Sequence, residues 1–224
     1  MISIAIDGPS GAGKSSISKQ VAQKNGYIYI DTGAMYRTLA YKALSLEIDI
    51  ANDADKIAKM LDDTVVTIKH CDDGQHMFLD GKDVTCFIRT PEVSMGASNI
   101  AKIPFVRSWL LELQRNFAKE NNCIMDGRDI GTVVLPNADV KIFLTASVEA
   151  RAKRRYAELR EKGTSVTFEE VIADMQKRDE NDSSRACAPL AKAEDAVVVD
   201  TSELDFDESV KAIERVISIA VNNK

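Results

Sequence analysis

The chain has 224 residues, of which 45% are hydrophobic and 29% charged, and a globular chain of this length buries about 70% of its surface on folding. No apolar run approaches the ~18 residues of a membrane span, which excludes a membrane protein, and the composition also excludes collagen-like and disordered chains. With 29 Lys and Arg residues against 35 Asp and Glu, the net charge of -6 repels a polyphosphate backbone, so general nucleic-acid binding is not expected.

The amino terminus and the cysteines favour a cytosolic protein. Residues 1–7 lack the basic region and the small-residue cleavage site of a secretory signal, so we expect a cytoplasmic location. No two cysteines form a Cys-x-x-Cys pair, which indicates neither a disulfide scaffold nor a zinc site. We therefore expect all of them to be reduced and buried: Cys71, Cys86, Cys123 and Cys187.

The first part of the chain alternates strand and helix signals. An apolar run over 2–7 predicts a strand that ends at a glycine-rich stretch, and a helical pattern follows it until Gly26. Residues 27–30 predict a second strand, and the apolar spacing over 35–43 predicts another helix. This alternation is typical of an α/β fold.

The pattern changes between residues 62 and 90. Two short strands, 65–69 and 76–79, are separated and followed by Asp-Gly turn dipeptides. The segment 62–90 therefore predicts an inserted antiparallel patch.

Alternation returns in the second half of the chain. Pro91 and Pro104 suit the first turns of two successive helices. Further strand-like runs lie at 123–125, 140–145 and 196–199. Five buried-type strands separated mostly by helices predict a parallel sheet that binds its ligand at the carboxyl ends of the strands.

Three helices are predicted near the carboxyl terminus. A very basic helix is predicted over 147–162 and ends at Gly163. Thr167 and Glu170 have capping-box spacing at the start of the next helix, and a helix over 207–221 closes the chain.

The glycine-rich stretch carries the strongest functional signal. Residues 8–15, Gly-Pro-Ser-Gly-Ala-Gly-Lys-Ser, match the phosphate-loop pattern and stand between a predicted strand and a predicted helix. Their backbone amides and the helix amino terminus attract phosphate. We expect Lys14 to bridge the β- and γ-phosphates of ATP and the Ser15 hydroxyl to hold Mg²⁺. The residues expected to bind ATP are Gly8, Pro9, Ser10, Gly11, Ala12, Gly13, Lys14, Ser15 and Ser16.

Other motifs distinguish a kinase from other phosphate-loop proteins. The chain has neither the Asn-Lys-x-Asp nor the Asp-x-x-Gly motif of regulatory GTPases. Polar clusters instead follow two predicted strands, at 31–37 and 126–129, on the sheet edge where the phosphate loop opens. Arg37 and Arg128 in these clusters are placed to bind an anionic acceptor, because a guanidinium matches phosphate oxygens bidentately.

Two further sets of basic residues suit phosphoryl transfer. The basic helix is interpreted either as a solvated face or as a closing lid, and it carries Arg151, Lys153, Arg154, Arg155, Arg160 and Lys162. Arg178, Asp182 and Arg185 have the spacing of one helix face, on which the aspartate can orient both guanidiniums. A well-placed arginine contributes roughly 10³ to 10⁵ to the rate of phosphoryl transfer.

Four motifs in order resemble those of bacterial-type cytidylate kinases. They are Ile-Asp-Gly-Pro-Ser-Gly-Ala-Gly-Lys at 6–14, Asp-Thr-Gly-Ala-Met-Tyr-Arg at 31–37, Asp-Gly-Arg-Asp-Ile-Gly-Thr-Val-Val at 126–134, and Arg-Asp-Glu-Asn-Asp-Ser-Ser-Arg at 178–185 with Pro189-Leu190. The resemblance runs from the first strand to the last helix. It implies transfer of the γ-phosphoryl group of MgATP to CMP or dCMP.

The resemblance also implies an architecture. It is a P-loop NTPase-type α/β fold, a parallel five-stranded sheet flanked by helices, in a single kinase domain over 1–224. Its mobile parts are an enlarged part that binds the nucleoside monophosphate, over 33–98 with the insert 62–90, and a helical lid over 152–166. We expect a monomer that binds these small molecules and has no nucleic-acid or membrane partner.

The resemblance further implies roles for particular residues. Those around the CMP phosphate and its neighbours are Thr32, Tyr36, Arg37 and Arg128, and Gly127 also binds the substrate. Those that read the cytosine edge are Ser98, Arg107 and Asp129. Those that act on the sugar or the transferring phosphate are Lys14, Arg128, Arg178, Asp182 and Arg185. The lid arginines that bind ATP are Arg154 and Arg155.

Two alternatives stay open from the sequence. One is another small phosphate-loop kinase, directed to UMP or to a sugar. The other is a regulatory protein that binds a nucleotide and catalyses nothing. The resemblance favours cytosine, because an aspartate that accepts from the cytosine amino group meets a carbonyl in UMP, at a cost of about 1 to 3 kcal/mol.

Overall fold

The computed structural model describes residues 1–71, 74–161 and 163–222, and the chain divides into two compact units. The first unit contains Met1–Tyr29 and Phe117–Lys224, and the second contains Ile30–Asn116. None of the helices in the described ranges combines the length and apolarity that a bilayer span requires.

Strands and helices alternate along most of the described chain. In chain order they are β1 (Ser3–Asp7), α1 (Lys14–Asn25), β2 (Ile28–Asp31), α2 (Thr32–Ser45), α3 (Ala54–Asp62), β3 (Val66–Cys71), β4 (Gly74–Leu79), β5 (Lys82–Asp83), α4 (Pro91–Ile100), α5 (Pro104–Glu120), β6 (Cys123–Gly127), a π-helical turn (Ile130–Val134), β7 (Val140–Thr145), α6 (Val148–Glu161), α7 (Phe168–Ser183), β8 (Val197–Asp200) and α8 (Phe206–Asn222).

The main sheet has five strands in the order β2-β6-β1-β7-β8. The pairings of β1 with β6 and β7, and of β7 with β8, are parallel. Ile4 in the central strand lies opposite Ile124 on one side and Val140 on the other. A strand covered on both faces is apolar along most of its length, which explains the mostly apolar run at the amino terminus. The five-stranded parallel fold expected from the sequence is confirmed.

The core of the first unit forms between this sheet and two helices. It contains Ile4, Ile6, Ile124, Ile142 and Leu144 from the strands, with Ile17 and Val21 from α1 and Val210, Ile213 and Ile217 from α8. Burial of this apolar surface is the main free-energy gain that holds the carboxyl ends of the strands in place.

The second unit contains a three-stranded antiparallel sheet in the order β3-β4-β5. Val66 lies opposite Leu79, and the turn into β5 uses Asp80 and Gly81 with φ angles of 49° and 82°. The antiparallel insert expected at 62–90 is confirmed, although residues 72–73 of its first predicted turn lie outside the described residues.

The helix α3 was not predicted from the sequence. Its buried side chains, Ile57, Met60 and Leu61, occupy one face, and its remaining residues are polar or small. Three apolar residues in nine give a weak periodic signal, and the packing of that face decides the conformation.

The expected helix boundaries near the carboxyl terminus agree with the structure. Gly163 follows α6 with a φ angle of 74°, while Lys162 lies outside the described residues. The Oγ1 of Thr167 accepts from the backbone N–H of Glu170 at 3.1 Å, and the Glu170 carboxylate accepts from the N–H of Thr167 at 2.8 Å. The capping box is therefore confirmed.

The expectation that every cysteine is buried was wrong. Cys71 and Cys86 are exposed, Cys187 is half-buried, and only Cys123 among the four is buried, although all are free thiols as expected. Cys71 ends β3 at the solvent-facing tip of a small sheet, where no core covers it. Burial raises the pKa of the Cys123 thiol to about 11, which keeps it protonated and unreactive.

We expect Ile4→Ala to lower the free energy of unfolding by about 2 to 5 kcal/mol, because it opens a cavity beside the central strand. Urea denaturation measures the change. The matched control is Ile219→Ala on α8, whose side chain is 55% exposed, and this variant should lose much less. Equal losses in the two variants would contradict this account of the core.

Candidate active site

The phosphate loop connects β1 to α1 and requires glycine at three positions. Gly8, Gly11 and Gly13 have φ angles of 150°, 74° and 87°, which side chains rarely adopt. A Cβ atom on Gly8 would lie 1.9 Å from the backbone oxygen of Leu144 on β7. The loop is therefore pressed against the neighbouring strand, and its backbone starts α1 at Lys14.

Lys14 is buried inside the phosphate loop. Its Nζ donates to the backbone oxygens of Gly8 and Pro9 at 2.8 and 2.7 Å. Burial, followed by the positive charge of Arg128, lowers the pKa of Lys14 to about 7. A phosphate that approaches Nζ would oppose both effects, since it favours the charged ammonium.

The Asp126 carboxylate meets two hydroxyl groups near the start of α1. The Ser15 hydroxyl donates to Oδ2 of Asp126 at 2.8 Å, and the Tyr29 hydroxyl donates to Oδ1 of the same carboxylate at 3.3 Å. Ser15 and Ser16 are exposed in the first turn, whereas Asp126 is buried. A hydroxyl beside a carboxylate is a donor set that suits Mg²⁺, which binds one or two carboxylates and keeps the rest of its ligands as water and phosphate oxygen.

Asp182 links two of the predicted arginines. Its Oδ2 accepts from Nε of Arg128 at 2.6 Å, and its Oδ1 lies 3.4 Å from Nη2 of Arg185. Burial acts to raise the pKa of Asp182, but the guanidiniums of Arg128 and Arg185 hold it below its usual range. Arg178 is half-buried on α7 and adds to that lowering. The carboxylate thus stays charged and fixes cationic groups in a water-poor region.

The expectation that Arg178, Asp182 and Arg185 share one helix face was wrong for Arg185. The helix α7 ends at Ser183, and Arg185 follows the capping residue Ser184. The guanidinium reaches Asp182 from the segment after the helix, and its Nε donates to the backbone oxygen of Asp182 at 3.2 Å. The ion pair between Asp182 and Arg185 was expected, but it joins a residue of the last helical turn to a residue beyond the helix.

The basic helix α6 is solvated on only part of its surface. Lys153 pairs with Glu149 at 2.7 Å on an exposed face, and Arg155 pairs with Glu158 at 2.8 Å. Arg151, which belongs to the same basic run, is instead buried. Of the two interpretations of this run, the solvated face therefore fits Lys153 but not Arg151.

Arg151 and Arg154 each contact a segment outside α6. Arg151 donates to the Ser10 backbone oxygen in the phosphate loop at 2.8 Å and pairs with Asp179 of α7 at 2.7 Å. Arg154 donates to the backbone oxygen and Oγ1 of Thr201, after β8. Sequence reasoning missed the contact between Arg151 and the loop, because only tertiary packing brings the two together.

In the second unit, Asp31 organises the start of α2. Its Oδ1 accepts from the N–H of Ala34 at 2.8 Å, and its Oδ2 accepts from Nη2 of Arg37 at 2.7 Å. Burial raises the pKa of Asp31, but Arg37 and then Arg89 outweigh it and hold the pKa below its usual range. Thr32, the first residue of α2, is buried beside this pair.

Two predicted residues of the second unit have buried polar atoms that lack a hydrogen-bond partner among the described residues. They are Nε of Arg37 and Oγ of Ser98. An unpaired buried donor costs about 1 to 3 kcal/mol, so such atoms are expected where a ligand supplies the partner. The guanidinium of Arg107 lies 5.6 Å from the ring centroid of Tyr36, so these two predicted residues are in contact.

Each unit therefore gathers part of the predicted set. The first unit brings Lys14, Arg128, Asp182 and Arg185 to the phosphate loop region, with Asp129 buried beside Arg128 and Gly127 accepting from the Arg128 guanidinium. The second unit pairs Arg37 with Asp31, next to the buried Thr32, and brings Tyr36 into contact with Arg107.

A family model described as cytidylate kinase matches residues 4–219 of the chain. The chain belongs to the cytidylate kinase family. Membership confirms the family and the kinase class that the four motifs indicated.

Individual relatives in this family are similar over the whole chain. The cytidylate kinase of Caldicellulosiruptor bescii is 51% identical over 223 residues, covering 100% of this chain and 98% of that protein. That of Bacillus subtilis is 50% identical over 207 residues, covering 92% of each. A solved structure of an uncharacterised protein from Eubacterium ventriosum superposes with a TM-score of 0.51 at 14% identity, over 97% of this chain and 99% of that one, and supports the fold alone.

We expect MgATP binding at pH 8 to take up about one proton, because Lys14 is mostly neutral above its pKa of about 7 and the phosphates favour its ammonium form. Calorimetry in two buffers of different ionisation enthalpy measures the uptake. Lys19→Met on the exposed side of α1 should keep it. Binding heats that do not depend on the buffer would contradict the low pKa of Lys14.

Proposed function

We propose that the protein transfers the γ-phosphoryl group of MgATP directly to CMP and dCMP, giving CDP and dCDP in pyrimidine nucleotide metabolism. The observation that carries this proposal is the match to cytidylate kinases over residues 4–219, with Lys14 set in a phosphate loop at its start. A cytoplasmic location and a monomeric state stay predictions.

The phosphate loop would hold the donor. Residues 8–16 would wrap the ATP phosphates with backbone amides, as the glycine conformations allow. Lys14 would leave the backbone oxygens of Gly8 and Pro9 for the β- and γ-phosphates. Ser15 and Asp126 fit Mg²⁺ by their chemistry, and the ion would neutralise charge on the phosphate oxygens.

The arginine cluster on Asp182 would act during transfer. The bond from the γ-phosphorus to the ADP oxygen breaks as a bond to a CMP phosphate oxygen forms, and the negative charge spreads over the moving group. Arg128 and Arg185, with Arg178 nearby on α7, would neutralise that charge from positions already fixed by the carboxylate. An ionised phosphate acceptor has no proton to lose, so no general base is needed.

The second unit would hold the acceptor. Arg37 offers its unpaired Nε to a phosphate oxygen, and Thr32 lies beside it at the start of α2. Ser98, with its unpaired hydroxyl, and Arg107 on the Tyr36 ring would contact the base. Asp129 of the first unit would accept from the cytosine amino group.

We also propose that the segments 33–98 and 152–166 close over the substrates. Lid closure excludes water that would otherwise hydrolyse ATP. Arg154 and Arg155 would contact ATP only after exchanging their present partners, Thr201 and Glu158, for phosphate oxygens. The pair of Arg155 with Glu158 lies near the surface, where such a pair is worth little, whereas Arg154 would have to break bonds to the buried Thr201.

A coupled assay that follows ADP formation tests the proposed function. CMP and dCMP should give the highest kcat/KM in a panel that includes UMP, AMP, GMP, shikimate and gluconate, and UMP should be about 10- to 100-fold poorer. Preference for UMP or for a sugar would contradict the proposed acceptor. ADP formation without any acceptor, or none with every acceptor, would contradict the transfer reaction.

We expect Asp129→Ala to reduce the ratio of kcat/KM for CMP over UMP by about tenfold, because the group that discriminates the two bases is lost. Ser98→Ala should lower kcat/KM for CMP through loss of its hydroxyl. Steady-state kinetics with both acceptors measure the ratios, and Lys153→Ala on the exposed face of α6 is the matched control. A ratio unchanged by Asp129→Ala would place base selection elsewhere.

A further inference from the structure

Asp7 connects the central strand to the backbone that follows Asp129. It is the last residue of β1, and its side chain is buried. Its Oδ1 accepts from the backbone N–H of Ile130 at 2.8 Å, and its Oδ2 accepts from that of Gly131 at 2.7 Å. One carboxylate thus satisfies the first two N–H groups of the π-helical turn.

The two bonds from Asp7 fix the backbone that directly follows Asp129, and hydrogen bonds within the turn fix the backbone oxygen of Asp129 itself. The backbone oxygen of Asp129 accepts from the N–H groups of Val133 and Val134 at 2.9 and 3.1 Å. The turn is only five residues long and starts without a side-chain cap of its own. The Asp7 carboxylate supplies the missing acceptors at its start.

Asp7 cannot move independently of the phosphate loop. It directly precedes Gly8, whose Cβ position would overlap the backbone oxygen of Leu144. It also lies in register with Gly127 of β6 and Phe143 of β7. The carboxylate therefore fixes the residues after β6 relative to the central strand.

The Asp7 carboxylate keeps its charge in this buried position. Burial raises the pKa of Asp7 to about 6, and the two backbone bonds oppose that rise, so the charged form is held at neutral pH at an energetic cost.

We propose that Asp7 is a positioning residue that fixes Asp129, and with it the selection of cytosine, relative to the phosphate loop. It touches neither nucleotide and acts through the backbone of Ile130 and Gly131. The proposal rests on the proposed function, because it assigns a role to Asp129 in base selection.

The other end of the same strand offers a matched control. Asp139 also accepts from β1, through the N–H and the hydroxyl of Ser3 at 2.8 and 3.0 Å. These two bonds stabilise the amino end of β1, whereas the phosphate loop follows its carboxyl end. Asp139→Asn therefore removes a similar carboxylate without disturbing the turn after Asp129.

The test compares Asp7→Asn with Asp139→Asn. Asparagine keeps one acceptor oxygen but turns an N–H₂ donor towards a backbone N–H. For Asp7→Asn we expect kcat/KM for CMP to fall about 10- to 100-fold and the ratio of CMP over UMP to fall at least about fivefold. Asp139→Asn should leave the ratio of CMP over UMP unchanged.

The outcomes for the positioning role and for the proposed function can be told apart. An unchanged ratio of CMP over UMP in Asp7→Asn, whatever its kcat, would overturn the positioning role. If that variant does not fold, Asp7→Glu decides, since its longer side chain displaces the carboxylate oxygens from the two N–H groups while the negative charge stays; a lowered ratio supports the proposal and an unchanged one overturns it. Failure of the unaltered protein to phosphorylate CMP would overturn the proposed function instead.

Discussion

A buried ammonium at the end of the central strand sets the requirements for the rest of the first unit. Lys14 has its Nζ on two backbone oxygens of its own loop, and burial makes the positive charge costly. The loop must curl tightly to supply those oxygens, which is why Gly8 lies against β7. Under the proposed function, phosphate binding would relieve this cost, because it would exchange two neutral acceptors for anionic ones. The buried charge of Lys14 would then contribute to the affinity for a polyphosphate.

The same electrostatic pattern recurs in both units. Asp182 fixes Arg128 and Arg185 in the first, and Asp31 fixes Arg37 in the second. In each case a buried carboxylate keeps its charge and orients guanidiniums before any substrate arrives. Such preorganised cations lower the barrier to phosphoryl transfer without further rearrangement at the moment of reaction. Orientation by aspartate, rather than the number of arginines, is what distinguishes these groups from a solvated basic surface.

The sequence predicted the features that depend on local geometry. The glycine loop, the strands around it and the capping box at Thr167 follow from residue types at fixed spacing, and the structure agrees. Tertiary contacts were predicted less well. Arg151 was grouped with a basic run interpreted either as a solvated face or as a closing lid, although it packs on the phosphate loop, and Arg185 was placed on a helix that ends before it. The link between Ser15 and Asp126, and that between Asp7 and the turn after Asp129, join segments more than a hundred residues apart, which no periodic pattern reports.

A crystal structure with a bisubstrate inhibitor, in which adenosine and cytidine are joined through a polyphosphate, tests the central claim most directly. The account predicts that Nζ of Lys14 leaves the Gly8 and Pro9 oxygens and contacts the polyphosphate, with the Arg128 guanidinium still on Asp182 and the cytosine amino group on Asp129. A polyphosphate bound away from the glycine loop, with Lys14 still on its two backbone oxygens, would contradict it.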